Sequence, residues 1–327
     1  MATFDGLLMR DTLQDNGVVP SPGYPYHSPD IIVHDQVANP EAYFTNNYSS
    51  DPNQPLQAGN PTNFVYVRTK NLSTSTKVGY YIHVYRANSS LFLNTGVWKN
   101  NKLTTRTGND YIQLGSVAPE AIGVGSDRFI LNAQQGNYCV IGIASEQQEP
   151  TIPGNFPTYN AYITWVRTNQ NVCGRNLSII RDYPNRSYSR LDTFTNPESS
   201  AQLVAFKTKA SNNLPVGTSF GVQCAPAGVD KHQVITNNNA SRILAVAGMA
   251  PANFDGTVTS YATLPSGRTW PPNSRLTTEA YVGRASQDEV ARYATDFAVF
   301  GTQPHELGLP SNGVLVLLGS TGTEFIQ

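Results

Sequence analysis

Apolar and polar positions alternate along most of this chain with a period of two. In Asn63-Phe-Val-Tyr-Val-Arg-Thr69, Val65 and Val67 share one face, and Phe64 and Tyr66 share the other. In Gly79-Tyr-Tyr-Ile-His-Val-Tyr-Arg86, Tyr80, Ile82 and Val84 point one way, while Tyr81, His83 and Tyr85 point the other. Successive side chains of a strand alternate in this way, so both stretches predict strands, the second half-buried with an aromatic outer face. Val204 with Phe206, and Phe220 with Val222 and Cys224, repeat the pattern further on. Further strands are expected at 111–114, 138–144, 161–166, 177–180, 242–246, 257–262, 276–282 and 313–318. One helical turn or two is expected, over 286–295. Turn-rich loops are expected at 118–128 and 250–273.

Five segment pairs match in order along the chain. Asp30-Ile-Ile-Val-His-Asp35 resembles Leu177-Ser-Ile-Ile-Arg-Asp182, and Phe44-Thr-Asn46 resembles Phe194-Thr-Asn196. Phe64–Lys70 resembles Leu203–Lys209, Val78–Ala87 resembles Val216–Ala225, and Ile141–Ser145 resembles Val282–Ser286. The offsets are 147, 150, 139, 138 and 141. A nearly constant offset predicts an internal repeat, with a loop inserted in the first copy near 49–61. The expected organisation is an extended N-terminal arm over 1–28 and two tandem immunoglobulin-like β-sandwich domains, 29–176 and 177–327, all-β throughout. The arm holds three prolines in Pro20-Ser-Pro-Gly-Tyr-Pro-Tyr26, which favours extended chain lying along the first domain or left mobile.

Composition agrees with an all-β chain of many turns. Only 14% of the 327 residues are charged, while glycine (26) and proline (22) are plentiful. A formal net charge of -1 leaves no field that would draw the molecule to nucleic acid or an anionic membrane. No apolar run is long enough to span a bilayer as a helix, and residues 1–10 do not read as a secretory signal. Cytoplasmic residence and export by another route both remain open. Cys139, Cys173 and Cys224 form no CxxC pair and read as buried thiols, a Cys139–Cys173 bridge being the minority reading. Six Asn-x-Ser/Thr triplets, at Asn47, Asn71, Asn88, Asn176, Asn185 and Asn239, read as composition.

The first copy resembles the CARDB-like, immunoglobulin-like modules of bacterial surface or secreted proteins. The resemblance rests on Ser28-Pro-Asp-Ile-Ile-Val33, on Phe64-Val-Tyr-Val-Arg68 followed by Asn71, and on Val84-Tyr-Arg-Ala87 followed by Trp98. Asn169-Gln-Asn-Val-Cys-Gly-Arg-Asn-Leu177 closes the stretch. It covers about residues 28–180 and is faint in the second copy. It implies a sandwich fold and a role in spacing, adhesion or assembly.

No motif for conventional catalysis is present: no HExxH, GxSxG, P-loop or GxGxxG. The histidines (His27, His34, His83, His232 and His305) form no ligand pair, since neighbours in His34-Asp35 face opposite ways on a strand. No cofactor or metal is expected. The oxygens of Asn237–Asn239 and of Asn253 with Asp255 read as solvated turns, with loop calcium as the weaker reading. Arg175, Arg181, Tyr183, Arg186 and Tyr188 form the candidate binding set, because Arg and Tyr are favoured interface anchors. The competing reading is that they pack the two domains together and pair with Asp182 and Asp192. Tyr43, Tyr81, Tyr85 and Trp98 form a second candidate, an aromatic platform. The expected function is a non-enzymatic binding protein, adhesin-like or associated with a toxin or a secretion system. It would meet a protein or glycan partner through loops or an edge strand. The alternatives are a structural subunit of a virion, phage tail or other particle, and an enzyme with a site at the domain junction using Arg175, Arg181, His34 and Asp182.

Overall fold

In the computed structural model the described residues are 2–23, 26–56, 63–88, 91–132, 136–179 and 183–325. The protein is all-β and divides into two compact units. The first comprises Met1–Asn88, Asn94–Asn155 and Thr164–Ile179. The second comprises Ser89–Leu93, Phe156–Ile163 and Ile180–Gln327.

The first unit is built on strand β1 (Ile31–His34), helix α1 (Pro40–Asn46) and the strands β2 (Phe64–Asn71), β3 (Tyr81–Asn88) and β4 (Gly136–Ser145). Strand β5 (Val172–Ile179) follows helix α2 (Tyr159–Thr168), of which residues 164–168 belong to this unit. One sheet centres on β2, which pairs with β1 along Phe64–Val67 and with Leu7–Leu8 at Lys70–Asn71. The N-terminal segment therefore lies along the unit and continues the β1 edge, with Met9 also in the core. The other sheet runs β5–β4–β3, all antiparallel. Val65, Val67, Ile82, Val84 and Val140 fill the space between the sheets, as the alternation requires.

Both outer faces of this unit are covered. Phe44 of α1 packs with Ile32, Phe64 and Tyr66 on the first sheet. On the second, Trp98 lies edge-on to Tyr85 at 5.3 Å, and Tyr111 lies 6.2 Å from His83. Strand β3 is thus buried on both sides rather than half-buried, and His83 and Tyr85 are each 0% exposed. A charged hub ties the N-terminal segment to β1 and β2. Asp30 accepts Arg10 Nη2 at 2.7 Å and Arg68 Nε at 2.9 Å, and the Arg10 guanidinium sits 3.5 Å from the Tyr48 ring centroid. The remaining Arg68 donors reach the carbonyls of Pro29, Phe44, Asn47 and Ser50.

The second unit contains β6 (Ser187–Thr195), β7 (Gln202–Ala210), β8 (Ser219–Cys224), β9 (Val229–Val234) and β10 (Ile243–Ala250). Then come β11 (Asp255–Thr263), β12 (Ser274–Ala285) and β13 (Gly313–Phe325). One sheet has the order β6–β11–β8–β9 and the other β10–β7–β12–β13. Tyr188, Phe220, Ala262, Leu276 and Phe325 from both sheets meet around Trp270, whose ring stacks on Phe325 at 3.9 Å. Beside this apolar end lies a polar band. Arg190 donates to Asp192 at 2.8 Å, to Thr323 at 2.9 Å and to Thr321, while Ser260 bonds Thr278 at 2.6 Å. The outer face of the second sheet is covered by the 286–312 segment, whose Phe300, Leu307 and Leu309 pack on Tyr281, Leu315 and Leu317.

Several expectations need correction. Residues 161–166 are helical, not extended. Tyr159, Tyr162 and Ile163 fall on one buried stripe at helical spacing, and the Thr158 hydroxyl accepts Ala161 N–H at 3.1 Å as an N-cap. The turn expected over 286–295 is present as a short 3-10 turn, Ala291–Tyr293. The matched segments occupy different places. Phe44 is on α1 whereas Phe194 is on β6, and Leu177 belongs to β5 of the first unit. The pair β3–β4 shares a sheet, but the counterparts β8 and β12 do not. Similar alternation reflects a shared strand period here, not a shared topology.

Candidate functional site

The five residues singled out as a binding set do not form one surface. Arg175 on β5 is buried. It donates from Nε to Ser28 O and from Nη2 to Asp51 Oδ2, both at 2.7 Å. Tyr183 and Tyr188 are brought together, edge-on at 5.5 Å beside Trp270 and Phe325. The Tyr183 hydroxyl donates to Ser187 O at 3.1 Å, and that of Tyr188 is 2.8 Å from Thr323 Oγ1. Tyr188 is therefore a core residue. Arg186 is exposed, and its carbonyl accepts Leu264 N–H at 3.0 Å. Arg181 and Asp182 lie outside the described residues.

The aromatic platform is not presented to solvent. Tyr85 and Trp98 are buried under and within the 91–114 segment, although Tyr43 is exposed on α1. His34 spends its ring on Tyr43, Phe44 and Gln54. Among the described residues, the buried His83 ring and Tyr85 hydroxyl make no well-formed side-chain hydrogen bond. Burial, followed by the Lys102 charge, pushes the His83 pKa down. Burial likewise raises the Tyr85 hydroxyl to about 12.

The cysteines are free and buried. Cys139 stands opposite Asn176 and Cys173 opposite Gly142, three positions apart on β4, so the two thiols point to opposite sheet faces. Burial raises all three thiol pKa values, which leaves them as poor nucleophiles. Among the described residues, no group of three or more His, Cys, Asp or Glu side chains is placed to hold a metal ion. No helix among them is long and apolar enough to cross a membrane.

What distinguishes the surface is the sheet β6–β11–β8–β9. Among the described residues, a helix or loop segment packs on the outer face of each of the other three sandwich sheets. Among the described residues no such segment packs on this fourth face, and its Ser189, Leu191, Gln223, Asp230 and His232 are exposed. The strand register puts Ser189, Tyr261, Gly221 and His232 in one row across it. Leu191, Thr259, Gln223 and Asp230 form the next row. The phenol end of half-buried Tyr261 lies over Gly221, where a Cβ would come within 2.6 Å of its Cζ and Oη. Only glycine lets the ring lean across the neighbouring strand. Burial, then the nearby Asp230, raises the Tyr261 pKa, so the hydroxyl stays protonated at neutral pH. Gln223 donates to Asp230 at 3.3 Å, and Leu191 is 65% exposed. Sequence reasoning missed this face because its residues come from four strands whose register no local pattern reveals.

The fold and this surface define an all-β, multi-sheet protein with a free sheet face. No protein-family model matches the chain, and no curated protein matches it. Among solved structures it is similar to the adhesive subunit CfaE of CFA/I fimbria of enterotoxigenic Escherichia coli, at 8% identity and a TM-score of 0.20. That likeness covers 98% of this chain and 92% of the other. The Enterococcus faecalis MSCRAMM ACE gives 9% identity and a TM-score of 0.19 over 84% of this chain and 92% of that one. Red sea bream transglutaminase gives 9% and 0.20 over 77% of this chain, which spans 29% of that protein.

Proposed function

We propose that this chain is a non-enzymatic binding protein of the adhesin-like kind, which meets a protein or glycan partner on the open face of its β6–β11–β8–β9 sheet. The observation that carries the reading is the contrast between that face and the other three, each of which bears a packed segment. A sheet face left uncovered in a chain that covers its others is available for recognition. The polar groups elsewhere support the same reading. Arg175, Arg190 and Arg68 are engaged in internal bonds, and the thiols are buried with raised pKa values.

The test is a binding screen of the full chain against immobilised proteins and glycans, run beside the double variant Leu191→Asp, Thr259→Glu. Both side chains face outward from their strands, so the variant keeps the core. At least one ligand is expected to bind the parent and be lost by the variant. A screen in which no ligand depends on this face refutes the proposal.

A further inference from the structure

We propose that the open sheet face recognises a neutral saccharide, with Tyr261 as the stacking surface. The inference rests on the binding reading above and names its ligand class. Three observations carry it.

First, the face offers an aromatic ring that leans over Gly221 rather than standing up from the sheet. A sugar ring presents a patch of polarised C–H bonds on one side, and these settle on the electron-rich face of a tyrosine. Second, hydroxyl, amide and imidazole groups that can donate and accept surround the ring, with the Asp230 carboxylate beside them. Those groups are Ser189 and Thr259 on the flanking positions, Gln223 on β8 and His232 on β9. Hydroxyls and a side-chain amide match the mixed donor and acceptor character of sugar hydroxyls, whereas a charged ligand would need fixed counter-charges. The acidic side chain in these two rows, Asp230, accepts from Gln223 and disfavours an anionic ligand. Third, the face favours a polar ligand over a large apolar partner. Its exposed apolar residues, Leu191 on β6 and Val234 on β9, lie on the two edge strands and form no central cluster.

The experiment is isothermal titration of the full chain with maltoheptaose, cellohexaose, xylohexaose and mannohexaose, with heparin as the anionic arm. At least one neutral oligosaccharide is expected to bind, and heparin is not. Tyr261→Ala is expected to weaken binding by about tenfold or more, while Tyr261→Phe, which keeps the ring, stays within about threefold of the parent. Gly221→Ala, whose Cβ would meet both the ring and the Lys231 carbonyl at 2.6 Å, should weaken binding as well. Far-UV circular dichroism confirms that each variant is folded, and a variant that fails to fold is replaced by Thr259→Glu on the same face. Absence of binding to every neutral oligosaccharide overturns the inference, as does equal binding by Tyr261→Ala. If the oligosaccharides fail but a protein ligand is lost by Thr259→Glu, the saccharide assignment falls and the binding reading stands. If no ligand depends on the face, both fall.

Discussion

Asp30 is the perturbation that tests the first unit most directly. Its side chain is 0% exposed and faces two guanidinium groups, Arg10 at 2.7 Å and Arg68 at 2.9 Å, themselves 4% and 0% exposed. Asp30→Asn keeps the shape but removes the charge, leaving both cations buried without a counter-ion. Removing one partner of a buried pair costs about 3–5 kcal/mol, because the uncompensated charge stays in a poorly polarisable interior. The carbonyls bonded to Arg68 and the ring beneath Arg10 soften this loss, so ~4 kcal/mol is the expected value. With a urea slope of about 2 kcal/mol/M, the unfolding midpoint should fall by about 2 M. Amide exchange on Phe64–Asn71 should accelerate in parallel. The control is Glu324→Gln, which removes the exposed partner of Arg275 and should cost no more than about 1 kcal/mol. If Asp30→Asn and Glu324→Gln shift the midpoint equally, the claim that burial sets the strength of the Asp30 hub is wrong.

Two further expectations concern pH. Asp11 is buried and accepts the Ser21 hydroxyl at 2.7 Å, and burial raises its pKa from 3.8 to about 7. A carboxyl raised on folding contributes stability that is complete below its unfolded pKa and is lost as pH rises through about 7. Asp11→Asn should therefore raise the melting temperature at pH 8, by an amount equivalent to at most ~4 kcal/mol, and change little near pH 4. Equal effects at both pH values would refute this. His83 works in the opposite sense. Its lowered pKa means that stability is complete above the unfolded value of about 6.5 and is lost as pH falls below it. In His83→Gln the loss between pH 7 and pH 5 should shrink, as read from melting temperatures. An unchanged pH profile would refute the burial cost assigned to His83.

The strands were legible wherever alternation was clean. Val65 and Val67 do face the core between sheets, with Phe64 and Tyr66 on the opposite side of β2. What covers a strand was not legible, because Trp98 and Tyr111 reach His83 and Tyr85 from positions that no periodicity links to them. Helix α2 was misread because Ala161-Tyr-Ile-Thr-Trp-Val166 alternates acceptably. Its helical stripe needs Tyr159, and its start needs the Thr158 cap, both just outside the window. The binding set failed for a related reason. Arg175 and Tyr188 are interface-type residues, but their partners Ser28 and Thr323 lie 147 and 135 positions away.

The hydroxyl and ion-pair band inside the second sandwich also limits how its strands can mispair. Sliding β6 by two residues along β11 would keep every side chain on its proper face, so hydrophobic alternation alone does not forbid it. It would, however, carry Arg190 away from Thr321 and Thr323 and strand a guanidinium among Phe220, Ala262 and Trp270. Stranding a buried charge costs several kcal/mol, comparable with the whole stability of a domain. Among Ser/Thr-bearing strands of the same alternation, that single arginine tells the correct alignment from its nearest impostor.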